Sequence, residues 1–171
     1  MDKFEEVLPK LISIKLFSDF SADNENDRRI LKMVYENMTL ESYPKDSVII
    51  QEGKYGDSFF ILYKGSVKVC RETPAGDIIA LADLNSSQSI FFGETALISN
   101  EPRTATVKAT SDCQCIVLSS KKFLDICEKE PLLGYRVTLH IAQNMARTIR
   151  DVNSDKATLY AALFSEIESG M

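Results

Sequence analysis

The sequence predicts a mainly β domain flanked by α-helices, and three observations predict it. Short runs of branched and aromatic residues alternate between glycine turns through the middle of the chain. Amphipathic helical spacings bracket those runs at both ends. The chain has 171 residues of which 44% are hydrophobic, enough for one sizeable core and too few for several.

At the N-terminal end Phe4, Val7, Leu8, Leu11 and Ile12 recur at helical spacing, and Leu16-Phe17 open a second short segment. Asp27 to Met38 forms an amphipathic helix through Ile30, Leu31, Val34 and Met38. Pro44 closes that region and introduces the first strand pair. Strands are predicted from Val48-Ile49-Ile50 toward Gly53, from Ser58-Phe59-Phe60-Ile61-Leu62 after Gly56, and from Ser66-Val67-Lys68-Val69 after Gly65. Further strands are expected at Asp77 to Leu84, Thr104 to Ala109 and Gln114 to Leu118, with the longest loop at Leu84 to Ser89.

Ser120 is expected to cap a short helix through Cys127. A longer helix is predicted from about Leu132 to Val152, with Leu133, Val137, Ile141, Met145 and Ile149 in one slowly drifting stripe. Core packing explains most of that stripe, and a dimer seam or a ligand lid is the sharper reading. After a break at Asn153-Ser154, with Ser154 as cap, a last helix from Asp155 to Glu168 carries Leu159, Leu163, Phe164 and Ile167. The chain therefore divides into an N-terminal helical segment (1–38), a β segment (39–119) and C-terminal helices (120–171).

Composition narrows the function. A net charge of −5 argues against broad nucleic-acid affinity, which needs a basic surface. No run of about 18 apolar residues is present, and Met1 to Glu6 lacks the basic-then-apolar pattern of a secretory leader. A cytoplasmic protein without a membrane partner is expected. Cys113 and Cys115 share one face of a strand as small core residues, Cys70 ends a strand and Cys127 lies on a helix. No cysteine pair with a nearby histidine suggests a metal. His140, the one histidine, lies on a predicted helix well away in sequence from Glu94, which could be imagined as a general base. The sequence nominates neither a partner nor a labile bond for that carboxylate, so the chain reads as a binding module and not an enzyme.

The segment with chemistry in it is Phe91-Phe92-Gly93-Glu94-Thr95-Ala96-Leu97-Ile98, followed by Pro102-Arg103-Thr104-Ala105-Thr106-Val107. Gly93 permits an unusual backbone angle and close approach of a ligand. If Glu94 to Ile98 form one turn, the amides of Glu94, Thr95 and Ala96 lack intrahelical acceptors and face an anion. Arg103 offers a planar guanidinium that holds two phosphate oxygens at once. Glu94, when ionised, only accepts hydrogen bonds, so its natural partner is a sugar hydroxyl. The plain alternative is that Arg103 merely pairs with Glu94 across a turn.

With the upstream strands and Gly53, Gly56 and Gly65, this segment resembles the phosphate-binding cassette of cyclic-nucleotide-binding domains. That sensor domain is shared by catabolite activator proteins, protein kinase regulatory subunits and cyclic-nucleotide-gated channels. The resemblance spans about residues 16 to 130. It implies an antiparallel β-roll, a double-stranded jelly-roll-like barrel, with N-terminal helices and a C-terminal helical lid. It implies cAMP or cGMP as ligand, no cofactor, and Gly93, Glu94, Thr95, Ala96, Arg103, Thr104 and Ala105 as ligand-binding residues. Tyr135, Arg147, Arg150 and Tyr160 are candidates for stacking on the base. Gln88-Ser89-Ile90 stands where the family commonly has a Gly-Asp pair, and Thr95 replaces a more usual aliphatic residue. About twenty residues follow Val152, too few for the DNA-binding unit of the bacterial transcription factors, so a protein partner or a homodimer through the C-terminal helices is expected in place of DNA. The competing function is a structural interaction module that kept the β-roll and no longer binds nucleotide.

Overall fold

The computed structural model describes residues 4–169; Met1 to Lys3, part of the segment read for a leader, lie outside the described residues. Helix α1 (Phe4–Ser13) is followed by a 3₁₀ turn at Lys15–Phe17 and by α2 (Glu25–Glu36). Helix α2 starts two residues before Asp27, because Asn24 caps it by accepting from the Asp27 amide. Its Asp27 side chain is buried, and accepts from the Ser21 amide at 3.1 Å and from Arg136 Nη1 at 2.9 Å.

Eight strands follow: β1 (Thr39–Tyr43), β2 (Val48–Ile50), β3 (Ser58–Lys64), β4 (Ser66–Glu72), β5 (Ile78–Asn85), β6 (Phe91–Phe92), β7 (Thr106–Ala109) and β8 (Cys113–Ser119). They make two four-stranded antiparallel sheets, ordered β1-β8-β3-β6 and β2-β7-β4-β5. Strand β1 was not among the predicted strands. It lies at a sheet edge with mostly exposed side chains, so Thr39 to Tyr43 carry little hydrophobic alternation.

The two central strands of the first sheet, β3 and β8, are buried on both faces, which explains why they read as nearly unbroken apolar runs. Phe59, Ile61, Ile116 and Leu118 point to a core shared with the helices. Their neighbours Phe60, Leu62, Cys115 and Val117 point into the roll, against Val67, Phe92, Val107 and Ala109 of the second sheet and β6. Cys113 and Cys115 do face one side, inside the roll, and all four cysteines are free thiols. Gly65 makes the β3–β4 turn at φ +92°, where a Cβ would stand 2.5 Å from the Asp112 carbonyl oxygen.

Three expectations need correction. The Leu84 to Ser89 loop is ordered structure: β5 runs to Asn85, and a 3₁₀ turn at Ser86–Gln88 is closed by reciprocal Asn85 and Gln88 side-chain bonds. The short C-terminal helix α3 (Ser120–Lys129) is capped by Ser119, not Ser120. Last, α4 (Pro131–Ser169) is one helix of 39 residues without a break at Asn153-Ser154. Asn and Ser cost the helix only about half a kcal/mol each, and neither blocks its backbone bonds as proline does. The Ser154 carbonyl accepts from the Thr158 hydroxyl at 3.1 Å inside the helix, in place of capping a new one.

The stripe of α4 divides in two. Leu133, Val137 and Ile141 are fully buried against the helical core. From Met145 to Ile167 every residue is exposed, including Ile149, Val152, Leu159, Leu163 and Phe164. Among the described residues, no helix is long and apolar enough to cross a membrane.

Candidate functional site

The cassette is rooted in both cores before it turns. Phe92 stacks on Phe60 inside the roll at 5.4 Å between ring centroids, and Phe91 packs on Phe59 on the helical side at 5.8 Å. Gly93 then adopts the left-handed region at φ +74° and leads into a 3₁₀ turn, Glu94–Leu97. The tighter i→i+3 bonding of that turn engages the Ala96 amide with the Gly93 carbonyl at 3.1 Å. The expectation of three free amides therefore reduces to two: those of Glu94 and Thr95 have no backbone acceptor among the described residues.

Arg103 is held from every side. Its amide donates to the Lys54 carbonyl and its carbonyl accepts from the Gly53 amide, both at 2.9 Å. Nη2 donates to the Ser58 carbonyl oxygen at 2.6 Å, and Nη1 to that of Gly93 at 3.3 Å. Two glycines make room for the guanidinium: a Cβ on Gly93 would stand 2.7 Å from Nη1, and one on Gly56 3.0 Å from Nε and Nη2. Burial pulls the guanidinium below its usual pKa, and the nearby Asp57 and Glu94 carboxylates oppose that shift. Two of its five N–H groups serve the backbone bonds, which leaves donors for a ligand.

Glu94 does not pair with Arg103, against the plain alternative. Its Oε1 accepts from Asn144 Nδ2 of α4 at 3.3 Å, across 50 positions of sequence. Gly93, Glu94, Thr95, Ala96, Arg103, Thr104 and Ala105 all line one cavity of about 430 Å³. That volume lies within the range of small-molecule sites, roughly 300–1,000 Å³. Ile50, Val69, Phe92 and Val107 give it an apolar wall.

Helix α4 contributes Met145 to this wall; Tyr135, Arg147, Arg150 and Tyr160 do not line it. Met145 belongs to the stripe for which a ligand lid is one reading, but nothing in the sequence separates it from Leu133, Val137, Ile141 and Ile149 as the residue that reaches the cavity. Asn144 and the Ser58 carbonyl were equally silent, because both act through contacts distant in sequence. His140 stands apart from the cavity, with Nε2 3.0 Å from Asp19 Oδ2 but off the hydrogen-bonding axis.

Comparisons with known proteins bear on the family and the fold. Residues 40–130 match the family model described as the cyclic nucleotide-binding domain. The chain is 32% identical over 159 residues to cGMP-dependent protein kinase 2 of Mus musculus, covering 89% of this chain and 20% of that protein. It is 31% identical to the cAMP-activated global transcriptional regulator CRP of Pasteurella multocida, covering 67% of this chain and 54% of that one. The chain thus spans between a fifth and about half of these curated relatives. Among solved structures, a cyclic nucleotide-binding domain from Methylobacillus flagellatus superposes with a TM-score of 0.68 at 29% identity, covering 86% of this chain and 79% of that one.

Proposed function

Because the chain belongs to the cyclic nucleotide-binding domain family, we propose that the cavity binds a cyclic nucleotide and that α4 carries the signal to a partner. The observation that supports this most is the joint lining of one cavity by Arg103, Glu94 and Thr95, with the amides of Glu94 and Thr95 lacking a backbone acceptor among the described residues. In this reading Arg103 and those amides hold the cyclic phosphate, Thr104 and Ala105 flank it, and Glu94 accepts from the ribose 2′-hydroxyl. Phosphate capture draws the cassette inward and repositions α4, whose Met145 already borders the cavity. The ligand is cAMP ahead of cGMP. Thr104 suits either, since its hydroxyl can bond the guanine 2-amino group or the phosphate.

The output is a homodimer or a protein partner at the exposed half of α4. Met145, Ile149, Val152, Leu159 and Leu163 follow a 3.5-residue period there, the seam of a coiled coil, with Lys156 at the intervening position.

Thermal melts with cAMP and cGMP test the binding reading. Ligand at about 100 times its Kd adds about 2.7 kcal/mol, which raises Tm by about 5–10 °C for a chain of this size. Arg103→Ala should weaken binding by about 3 kcal/mol, and Arg103→Lys should also weaken it by losing the two-pronged geometry. No shift with either nucleotide at millimolar concentration favours the structural module instead. In competition binding, loss of cGMP affinity alone in Thr104→Ala overturns cAMP as the ligand.

A further inference from the structure

Glu94 is a partition. One side faces the main cavity, and the other closes a small chamber of about 20 Å³ bounded by Lys15, Leu16, Phe91, His140, Ile141 and Asn144. Room for about one water remains in it, so solvent does not freely compete for the carboxylate there. An ionised carboxylate only accepts, which fixes the Asn144 amide with its Nδ2 toward Oε1. Asn144 is half-buried on the same turn of α4 that carries Ile141 into the core and Met145 to the cavity.

We infer that Asn144 is a positioning residue for sugar recognition: it fixes the Glu94 carboxylate from behind so that the other oxygen meets the ribose 2′-hydroxyl. This rests on the reading of Glu94 as the sugar ligand. A carboxylate has about four acceptor sites, so the amide and the hydroxyl are held together and do not displace one another. Without Asn144 the Glu94 side chain regains rotamer freedom, and binding the hydroxyl must order it again. Met145, the next residue, borders the ligand cavity, so sugar occupancy and the position of α4 are linked through one turn of helix.

The test is calorimetric titration of the wild type, Asn144→Ala and Asn144→Asp with cAMP and 2′-deoxy-cAMP, joined to urea unfolding of the ligand-free proteins. The wild type is expected to prefer cAMP. Asn144→Ala should cut that preference about three- to tenfold while leaving 2′-deoxy-cAMP affinity within about twofold. Asn144→Asp keeps the shape but replaces the donor by a like charge, so it should cut the preference further. An Asp variant as selective as the wild type overturns the inference. In urea, Asn144→Ala and Glu94→Ala should be non-additive, since each removes the same bond. Additive effects overturn the Asn144 assignment alone. A wild type indifferent to the 2′-hydroxyl, with the coupling intact, overturns the sugar reading of Glu94 and this role with it.

Discussion

Arg103 lies in a slot that only glycine can leave open. Gly93 needs its left-handed angle for the chain to turn, and a Cβ there would meet Nη1 at 2.7 Å and the Ser58 carbonyl at 3.1 Å. Gly93→Ala is therefore expected to cost about 1–2 kcal/mol of stability from the backbone angle alone. It should also displace the guanidinium and lower nucleotide affinity at least tenfold, read by urea melts and calorimetry on the same protein. A second residue-scale prediction concerns the thiols. Burial, then Cys113 and Glu41, push the Cys115 thiol up to about 12, and burial pushes Cys127 up to about 11. In the unfolded chain a thiol titrates near 8.5. Above that pH the unfolded state has released a proton that the native state retains, so stability falls as pH rises. The loss is about 1.4 kcal/mol per pH unit per thiol until the native pKa is passed. Urea unfolding between pH 8 and 10.5 should show a shallower decline in Cys115→Ala than in the wild type.

At the scale of elements, α4 joins a clamped half and a bare half. Leu133, Val137 and Ile141 fix its start, Arg136 ties it to Asp27 and stacks over Phe20 at 4.6 Å, and Gly134 lets it approach Cys127 of α3. The exposed apolar seam beyond Met145 should make the protein dimeric at tens of micromolar in sedimentation equilibrium. Leu159→Asp with Leu163→Asp should yield a monomer whose nucleotide affinity stays within about threefold; a dimer unchanged by both would place the contact elsewhere. Helix α2 was legible from its strong periodicity, and β3 and β8 from short apolar runs bounded by turn residues. The division of α4 was not, because a helix stripe looks the same whether a core or a partner covers it. Glycine 93, Glu94 and Arg103 stood out as residue types, while Asn144, Met145 and the carbonyls of Ser58 and Gly93 did not. Those act through tertiary proximity, and a carbonyl has no residue-type signature at all.

At the scale of the molecule, the cassette sits where the two cores meet. Phe91 belongs to the helical side and Phe92 to the roll, and they are adjacent residues leading directly into Gly93. A ligand that pulls on Glu94 to Ala96 therefore loads both cores at once, one through the sheets and one through α4. Cyclic nucleotide should slow amide hydrogen exchange at residues 93–105, and should change it between 132 and 168 as α4 repositions. Exchange identical with and without ligand throughout 132–168 would count against any movement of that helix. Both cores stay packed in such a change, since close-packed interiors shift between discrete arrangements and do not deform smoothly.

The unbroken run through Asn153-Ser154 has a mechanical consequence. A hinge at that point would absorb any rotation at the clamped end of α4; a continuous helix transmits it. From Met145 to Ile167 the rod is about 33 Å long at 1.5 Å per residue. If the proposed movement of α4 has its fulcrum beside the cavity, a tilt of about 10° there would sweep the far tip through about 6 Å, at constant helical hydrogen bonding. The gain is set by length alone, so truncation at Asn153 would shorten the stroke in proportion without touching the site that starts it.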